Sequence, residues 1–475
     1  MYARREHIQI RHIKGYFQVV RDLMMTATMA LYFVLPWINY RGSQSVLFDL
    51  PNRRFDIFGF SFWPQDFLFL AWALMLAAFA LFFFTVLAGR VFCGYVCPQT
   101  NWTRLFTQIE RWCEGDRHQR MRRSREGLTF DTAVRRTAKH SLWLAVGVAT
   151  GVTFVGYFYP IRELVPDLVA FDANGWAVFW IGMFTVATYG NAGFMREQVC
   201  LYMCPYARFQ SVMFDEDTLI VSYDEARGEP RGKGLHRKTA APDVPAPATA
   251  VPLATDAMAA TTAKAAQKAS QGDCIDCELC VQVCPTGIDI REGLQLGCIT
   301  CAACIDACDE VMEKVNRPKG LIRYTTEHAL GGIKTKMMRP RLIGYGLVMA
   351  LLSGLFVWQL AARQPLQVDV IRDRNQLYRI TSQGDVENSY RLEILNKDQD
   401  NHRFVITLIG DEALSLVNGP VEVSLASGEQ RSVPVTVSYD PYLSEPQSPT
   451  IWFLVRDKDD SGLEIRHESR FIKPR

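Results

Sequence analysis

The last 113 residues, from Arg363 to Arg475, contain no cysteine although thirteen precede them, so no disulfide framework is implied. Nowhere does the chain carry a glycine-rich nucleotide-binding loop, a C-x-x-C-H haem-attachment motif or a hydrolytic triad. Nucleotide-driven, c-type haem and acyl-transfer chemistries are thereby set aside. Lys and Arg number 52 against 50 Asp and Glu, a balance with no basic surplus, and no nucleic-acid partner is expected. What the chain has in quantity is apolar surface: hydrophobic residues make up 49% and aromatics 12%, with charge still at 21%. That mixture suits a protein that is part bilayer and part water-soluble, and 475 residues leave room for more than two domains.

The most specific motif is a run of cysteines. Cys274, Cys277, Cys280 and Cys284 follow the pattern C-x-x-C-x-x-C-x-x-x-C before Pro285, and Cys298, Cys301, Cys304 and Cys308 repeat it fourteen residues on. Three closely spaced thiolates wrap three corners of a [4Fe-4S] cube, and the fourth cysteine of each run ligates the other cluster. Two clusters are expected, one on Cys274, Cys277, Cys280 and Cys308, the other on Cys298, Cys301, Cys304 and Cys284. Structural zinc sites also use four cysteines but arrange them as two separated C-x-x-C pairs. The second run departs from the pattern at Asp309, which stands where the first has Pro285.

Five uncharged runs are long enough to cross a bilayer of ~30 Å. They lie at about Met24 to Tyr40, Phe67 to Gly89, Ser141 to Tyr159, Gly175 to Phe194 and Leu342 to Ala362. A buried soluble helix is the competing reading for each, strongest for the first, which is short and contains Pro36 and Asn39. Cleavage of that first run as a signal peptide is not expected, given the long polar segment before it. Lys and Arg set the orientation: the loop from Arg90 to His140 holds eleven, whereas Arg41 to Asp66 holds three and Pro160 to Asn174 only Arg162. The amino terminus is therefore expected inside and the carboxyl terminus outside. All thirteen cysteines then fall on the cytoplasmic side or near cytoplasmic helix ends, where thiols stay reduced.

Between the fourth and fifth helices, Ala226 to Gln271 is crowded with Ala, Pro, Thr and Lys. Such a segment buries too little to order itself and reads as a flexible tether that lets the ferredoxin module swing. Beyond the fifth helix, Tyr390 to Leu395, Arg403 to Ile409, Val421 to Leu425, Val433 to Val437 and Ile451 to Val455 are rich in β-branched and aromatic residues. Turn formers separate them, as in an all-β sandwich. No catalytic constellation is visible there: His402 and His467 lie beside charged neighbours and read as solvated.

A second cysteine pattern lies in the membrane part. Cys93-Gly-Tyr-Val-Cys97-Pro98 follows the second helix and Cys200-Leu-Tyr-Met-Cys204-Pro205 the fourth, at a constant offset of 107 residues that also aligns Tyr95 with Tyr202. Helices one and two with their motif are therefore read as duplicated in helices three and four. Cysteines four apart share one helical face, and thiolates suit Cu(I). Met203 and Met213 could add thioethers. Three readings stay open for Cys93, Cys97, Cys200 and Cys204: a copper or other soft-metal site, an additional cluster or quinone-adjacent electron-transfer site, or buried structural cysteines. Cys113 has no sequence partner and reads as structural.

Taken with FDIFGFSFWPQD (Phe55 to Asp66), DEDTLIVSYDEARGEPRG (Asp215 to Gly232) and ACDEVMEKVNRPKGLIRY (Ala307 to Tyr324), these motifs resemble the FixG, RdxA or CcoG family of membrane-bound polyferredoxins. These are accessory proteins of cbb-type cytochrome c oxidase, and the resemblance covers essentially the whole chain. It implies a multi-pass α-helical membrane protein of the bacterial inner membrane, with a cytoplasmic two-cluster ferredoxin module and a periplasmic immunoglobulin-like sandwich. The implied order is an amino-terminal segment (1–23), a four-helix core with the two C-x-x-x-C-P motifs (24–225), a linker (226–271), the ferredoxin (272–325), the fifth helix (342–362) and the sandwich (365–475). The implied activity is reduction of Cu(II) to Cu(I) for the oxidase's haem-copper centre, with assembly factors or copper chaperones as partners besides lipid. A quinol-linked electron relay and a scaffold that docks oxidase subunits are the alternatives. With no nucleotide loop, the electron donor must be another protein, a quinol or a diffusible reductant.

Overall fold

The computed structural model describes residues 8–473 apart from 41–42, 128, 233–271, 374–375, 398–399, 411–412, 441–449 and 460–461. The chain divides into two units. One comprises Met1–Leu35, Leu74–Val155 and Leu164–Leu352; the other Pro36–Ala73, Gly156–Glu163 and Ser353–Arg475.

The first unit is helical around the cysteine motifs. It contains α1 (Tyr16–Val34), most of α2 (Phe67–Ala88), α3 (Val91–Tyr95), α4 (Pro98–Glu114), α5 (Arg117–Glu126), α6 (Phe130–Val155), most of α7 (Ile161–Ala170), α8 (Gly175–Thr188) and α9 (Pro205–Met213). Among the described residues, four helices are long and apolar enough to cross a membrane: Tyr16–Trp37, Phe67–Ala88, Phe130–Val155 and Pro340–Ala361. The bent pair Ile161–Ala170 and Gly175–Met195 makes up to five if counted as one span. These helices are compatible with a membrane protein. α2 fully buries only Thr85 and Val86, at its last turn, and leaves Phe67, Leu68, Leu70, Leu74, Met75 and Phe84 exposed, an apolar surface compatible with lipid. α6 and α8 cross closely because α6 offers glycines: side chains at Gly147 and Gly151 would come within 3.1 Å of the Thr185 carbonyl and 2.6 Å of the Ile181 carbonyl. Small residues at such crossings let backbones meet without a hydrophobic driving force.

The ferredoxin segment is docked inside this unit, contrary to the expectation that it swings. Ile220–Tyr223 pairs antiparallel with Ile322–Thr325, clasping the chain before the linker to the chain after the clusters. Arg227, at the head of the segment expected to be a tether, bonds to Asp273, Pro318 and Lys319, and the Gly232 amide donates to the Cys274 carbonyl at 3.3 Å. Its remainder, 233–271, lies outside the described residues. The start of α1 is held as well: Asp306, on the ferredoxin helix Ala303–Lys314, accepts from the Phe17 and Gln18 amides at 3.2 and 2.8 Å. Gly15, at the cap position of α1, has no side chain with which to do this, so Asp306 satisfies amides that the helix cannot.

The second unit carries the expected sandwich. One sheet runs Leu414–Leu416, Gln430–Tyr439, Val386–Asn396, Leu366–Arg372, and the other Val421–Leu425, His402–Ile409, Thr450–Asp457, Glu464–Arg470, with antiparallel neighbours throughout. Alternation is clean on Val386–Asn396, where Val386, Tyr390, Leu392 and Ile394 are buried and pack with Phe404, Ile406, Phe453 and Val455 of the facing sheet. The segment read from sequence as the loop after the first span forms a three-stranded sheet, Val46–Asp49, Arg54–Ile57 and Phe60–Phe62. Asp66 at its end pairs with Arg363 at 2.8 Å and Lys397 at 3.0 Å, all three side chains largely buried.

Candidate iron-sulfur and thiolate site

The two ferredoxin runs adopt the same backbone. Asp276 and Glu278 have φ of 53° and 55°, and Thr300 and Ala302, at the equivalent places around Cys277 and Cys301, have φ of 54° and 58°. Left-handed residues on both sides of the middle cysteine curl each run so that its three thiols face one interior point, and a helix follows in each case. Two small cavities result, each of about 20 Å³. One is lined by Cys274, Cys277, Cys280 and Cys308 with Leu279, Met312 and Ile322. The other is lined by Cys284, Cys298, Cys301 and Cys304 with Cys280 and Ile290.

The donor chemistry fits an iron-sulfur group. Burial pushes the Cys298 and Cys308 thiols up to about 12 and raises Cys304 and Cys284, and neighbouring thiolates add to the shift at all four. Four thiolates in an apolar cavity repel one another unless positive charge sits among them. Backbone amides also aim at the sulfurs, from Thr300 to Cys298 and from Thr286 and Ile288 to Cys284, an arrangement by which proteins tune such groups.

The cysteines of the two C-x-x-x-C-P motifs repeat each other in geometry as well as in sequence. The Cys97 amide closes a wide turn onto the Phe92 carbonyl at 2.9 Å, and the Cys204 amide closes the same turn onto Val199 at 2.8 Å. In each motif the second cysteine caps the next helix, α4 or α9, which starts at the following proline. The pairs therefore do not ride one face of a continuous helix, because proline lacks the amide that would carry the earlier turn onward. The quartet is nevertheless brought together. Burial raises Cys93 to about 12 and Cys200 to about 11, with further contributions from Cys97 and Cys204 at both. Among the described residues, no three His, Cys, Asp or Glu side chains converge closely enough to hold a single metal ion. Cys113 stands apart, packed beside the buried cluster of Phe106, Ile109 and Trp143.

The two thiol groups adjoin. A side-chain carbon at Gly94 would lie 2.7 Å from the Ile299 carbonyl and 3.0 Å from Cys301 Cα. Cys93 packs against the buried cluster that includes Ile299, Cys301 and Ala303. The Arg90 amide donates to Thr300 Oγ1 at 3.3 Å, and the Arg90 guanidinium reaches the Leu296 and Ala207 carbonyls. Tyr324 donates to the Thr300 carbonyl at 2.7 Å and meets the Tyr95 hydroxyl at 3.2 Å. The Cys93 thiol donates to Gln210 Oε1 at 3.3 Å, and Gln210 in turn bonds Thr85.

Residues 356–474 match the family described as the IG-like fold at the C-terminal of FixG, residues 195–246 and 248–327 a 4Fe-4S dicluster domain, and residues 70–114 a 4Fe-4S binding domain. The nitrogen fixation protein FixG of Rhizobium meliloti is 38% identical, over 93% of this chain and 85% of its own length. The chain belongs to the FixG/RdxA family. Protein RdxB of Cereibacter sphaeroides is 39% identical over 89% of this chain and 86% of its own length. A crystal structure of a FixG-related protein from Vibrio parahaemolyticus aligns at 34% identity with 23% of this chain and 98% of its own, at a TM-score of 0.21. As a FixG-type iron-sulfur protein the chain belongs among electron-transfer oxidoreductases, and its 4Fe-4S matches span both the ferredoxin runs and the membrane-side pairs.

Sequence reasoning about this FixG-type chain missed Gly94, Thr300, Tyr324, Arg90 and Gln210. Only Gly94 and Tyr95 carried a signal, since both lie inside the repeated C-x-x-x-C-P motif, and Gly94 does not recur in the second copy, where Leu201 stands. The others come from separate stretches of chain and are joined by folding alone.

Proposed function

We propose that this FixG-type protein reduces Cu(II) to Cu(I) at the cytoplasmic face of the bacterial inner membrane, for assembly of a cbb-type oxidase. Cys274, Cys277, Cys280 and Cys308 hold one [4Fe-4S] cluster, and Cys298, Cys301, Cys304 and Cys284 the other. Clusters held there supply single electrons at low potential. The observation that carries the reading is the backbone contact between Gly94 and Cys301, which puts the second ferredoxin run against the membrane-side quartet. Cys93, Cys97, Cys200 and Cys204 receive copper as substrate, because soft thiolates favour Cu(I) over oxygen-preferring ions. The Lys and Arg distribution supports an inside amino terminus and an external carboxyl-terminal sandwich. In this reading the sandwich serves docking.

A second reading is favoured by the 4Fe-4S binding match across residues 70–114. In it the quartet binds a third cluster, and the chain is an electron relay, with quinol among the possible donors. One comparison separates the two. A Cys97→Ser, Cys204→Ser double variant is expected to keep the iron of both ferredoxin clusters but lose bound copper and Cu(II) reduction. Loss of about four irons supports the third cluster. Undiminished copper chemistry with full iron returns the quartet to a structural role.

A further inference from the structure

Between the amino-terminal segment, α4 and the ferredoxin lies a cavity of about 110 Å³, far larger than the two cluster cavities. Its walls bring the two thiol systems together: Cys200 is on one side, and Pro285, Thr286 and Ile299, which flank Cys284 and Cys298, are on the other. Six arginines face it against three acids, Asp22, Asp116 and Glu197. Asp22 pairs with Arg104 at 2.6 Å and Asp116 with Arg111 at 2.9 Å, while Arg120 and Arg196 pair with Glu110 at 2.9 and 3.0 Å.

Arg21 is the unusual member. It is 94% buried, given its exposure of 6%, and among the described residues its Nε meets no acceptor and it joins no ion pair. Asp306 lies within range of its charge, but the Asp306 oxygens accept from the Phe17 and Gln18 amides. Arg104 stands close enough that burial and then the Arg21 charge push its guanidinium below the ordinary arginine range. Two buried guanidiniums facing one cavity, with a single carboxylate committed to one of them, are costly unless something negative joins them. Guanidinium forks match carboxylate and phosphate oxygens in shape and charge.

We propose that this cavity binds a small anionic molecule, carboxylate- or phosphate-bearing, seated on Arg21 and Arg104 and in contact with both Cys200 and the loops of the second cluster. The site does not depend on copper being the terminal acceptor, and its test reads binding alone. Flavin mononucleotide, which brings a phosphate, and reduced glutathione, which brings carboxylates and a thiol, are titrated calorimetrically and anaerobically into the cluster-loaded full-length protein in detergent at low salt.

At least one is expected to bind with Kd below about 1 mM, and which one does so distinguishes the phosphate from the carboxylate source. Arg21→Gln should weaken it about tenfold or more at unchanged iron content, and Arg21→Lys less, since it keeps the charge and loses the fork. Should Arg21→Gln fail to fold, the unaltered protein decides: the binding probe should protect Arg21 from phenylglyoxal, read by mass spectrometry. Binding of neither probe, affinity indifferent to Arg21→Gln, or no protection would each overturn the site.

Discussion

Gly94 is packed so that the backbone of Ile299 and Cys301 occupies the place where its side chain would be, with the Ile299 carbonyl 2.7 Å from an added carbon. Any larger residue must push the second ferredoxin run away from Cys93. Overpacking of this kind costs about 1–3 kcal/mol where it is accommodated by a backbone shift. Gly94→Val should therefore keep its iron, because no cluster cysteine is replaced, yet pass electrons from prereduced clusters to the quartet more slowly. Stopped-flow oxidation of the reduced protein by Cu(II), set beside iron content, checks this; an unchanged rate would remove the contact from the pathway.

The proposed crossed ligation carries its own consequence. Cys284 belongs in sequence to the first run but lines the cavity of Cys298, Cys301 and Cys304. Cys284→Ser is expected to alter the electron paramagnetic resonance signal of the second cluster and spare the first. Loss confined to the first cluster would mean that each run keeps its own cube.

Asp66 makes the second unit sensitive to acid. Burial works against its carboxylate, but Lys397 and Arg363 outweigh that and hold its pKa below the usual aspartate range. A depressed carboxylate contributes stability that is fully present above the unfolded-state pKa of about 3.9 and is lost as pH falls through the lower folded value. Asp66→Asn should thus lower the melting temperature of the sandwich at pH 7 and flatten its decline below pH 4, as thermal denaturation would show. Equal acid sensitivity in both proteins would assign the decline to other carboxylates.

Sidedness is open to a direct assay. A reporter active only outside the cytoplasm should work when fused after Arg475 and stay silent when fused near Gln271, as the Lys and Arg asymmetry requires. The opposite pattern would invert the orientation.

The cysteine runs and the strand segments from Tyr390 to Val455 were legible because each is a local pattern: metal spacing in one case, alternation against a buried face in the other. Glu464–Arg470 was not, since EIRHESR at the sheet edge is charged and buries none of its residues fully. The short strands between Val46 and Phe62 hid among turn residues in a stretch that reads as a loop between spans. The 107-residue repeat announced the paired motifs, but the four-residue spacing of each pair hid the helix break that the proline after each second cysteine makes. Docking of the ferredoxin escaped notice for a different reason. It depends on pairing Ile220–Tyr223 with Ile322–Thr325 across a long, low-complexity insert, and composition reports the insert while saying nothing of its ends.

The cap that Asp306 places on α1 ties together residues that leave the ribosome far apart, 289 positions separating Phe17 from Asp306. The start of α1 therefore gains this partner only once the ferredoxin segment has been made. Asp306 sits between Cys304 and Cys308, two of the residues proposed above to hold the clusters. On the proposed ligation, whatever disturbs the turn from Cys304 to Cys308 also reaches the start of α1.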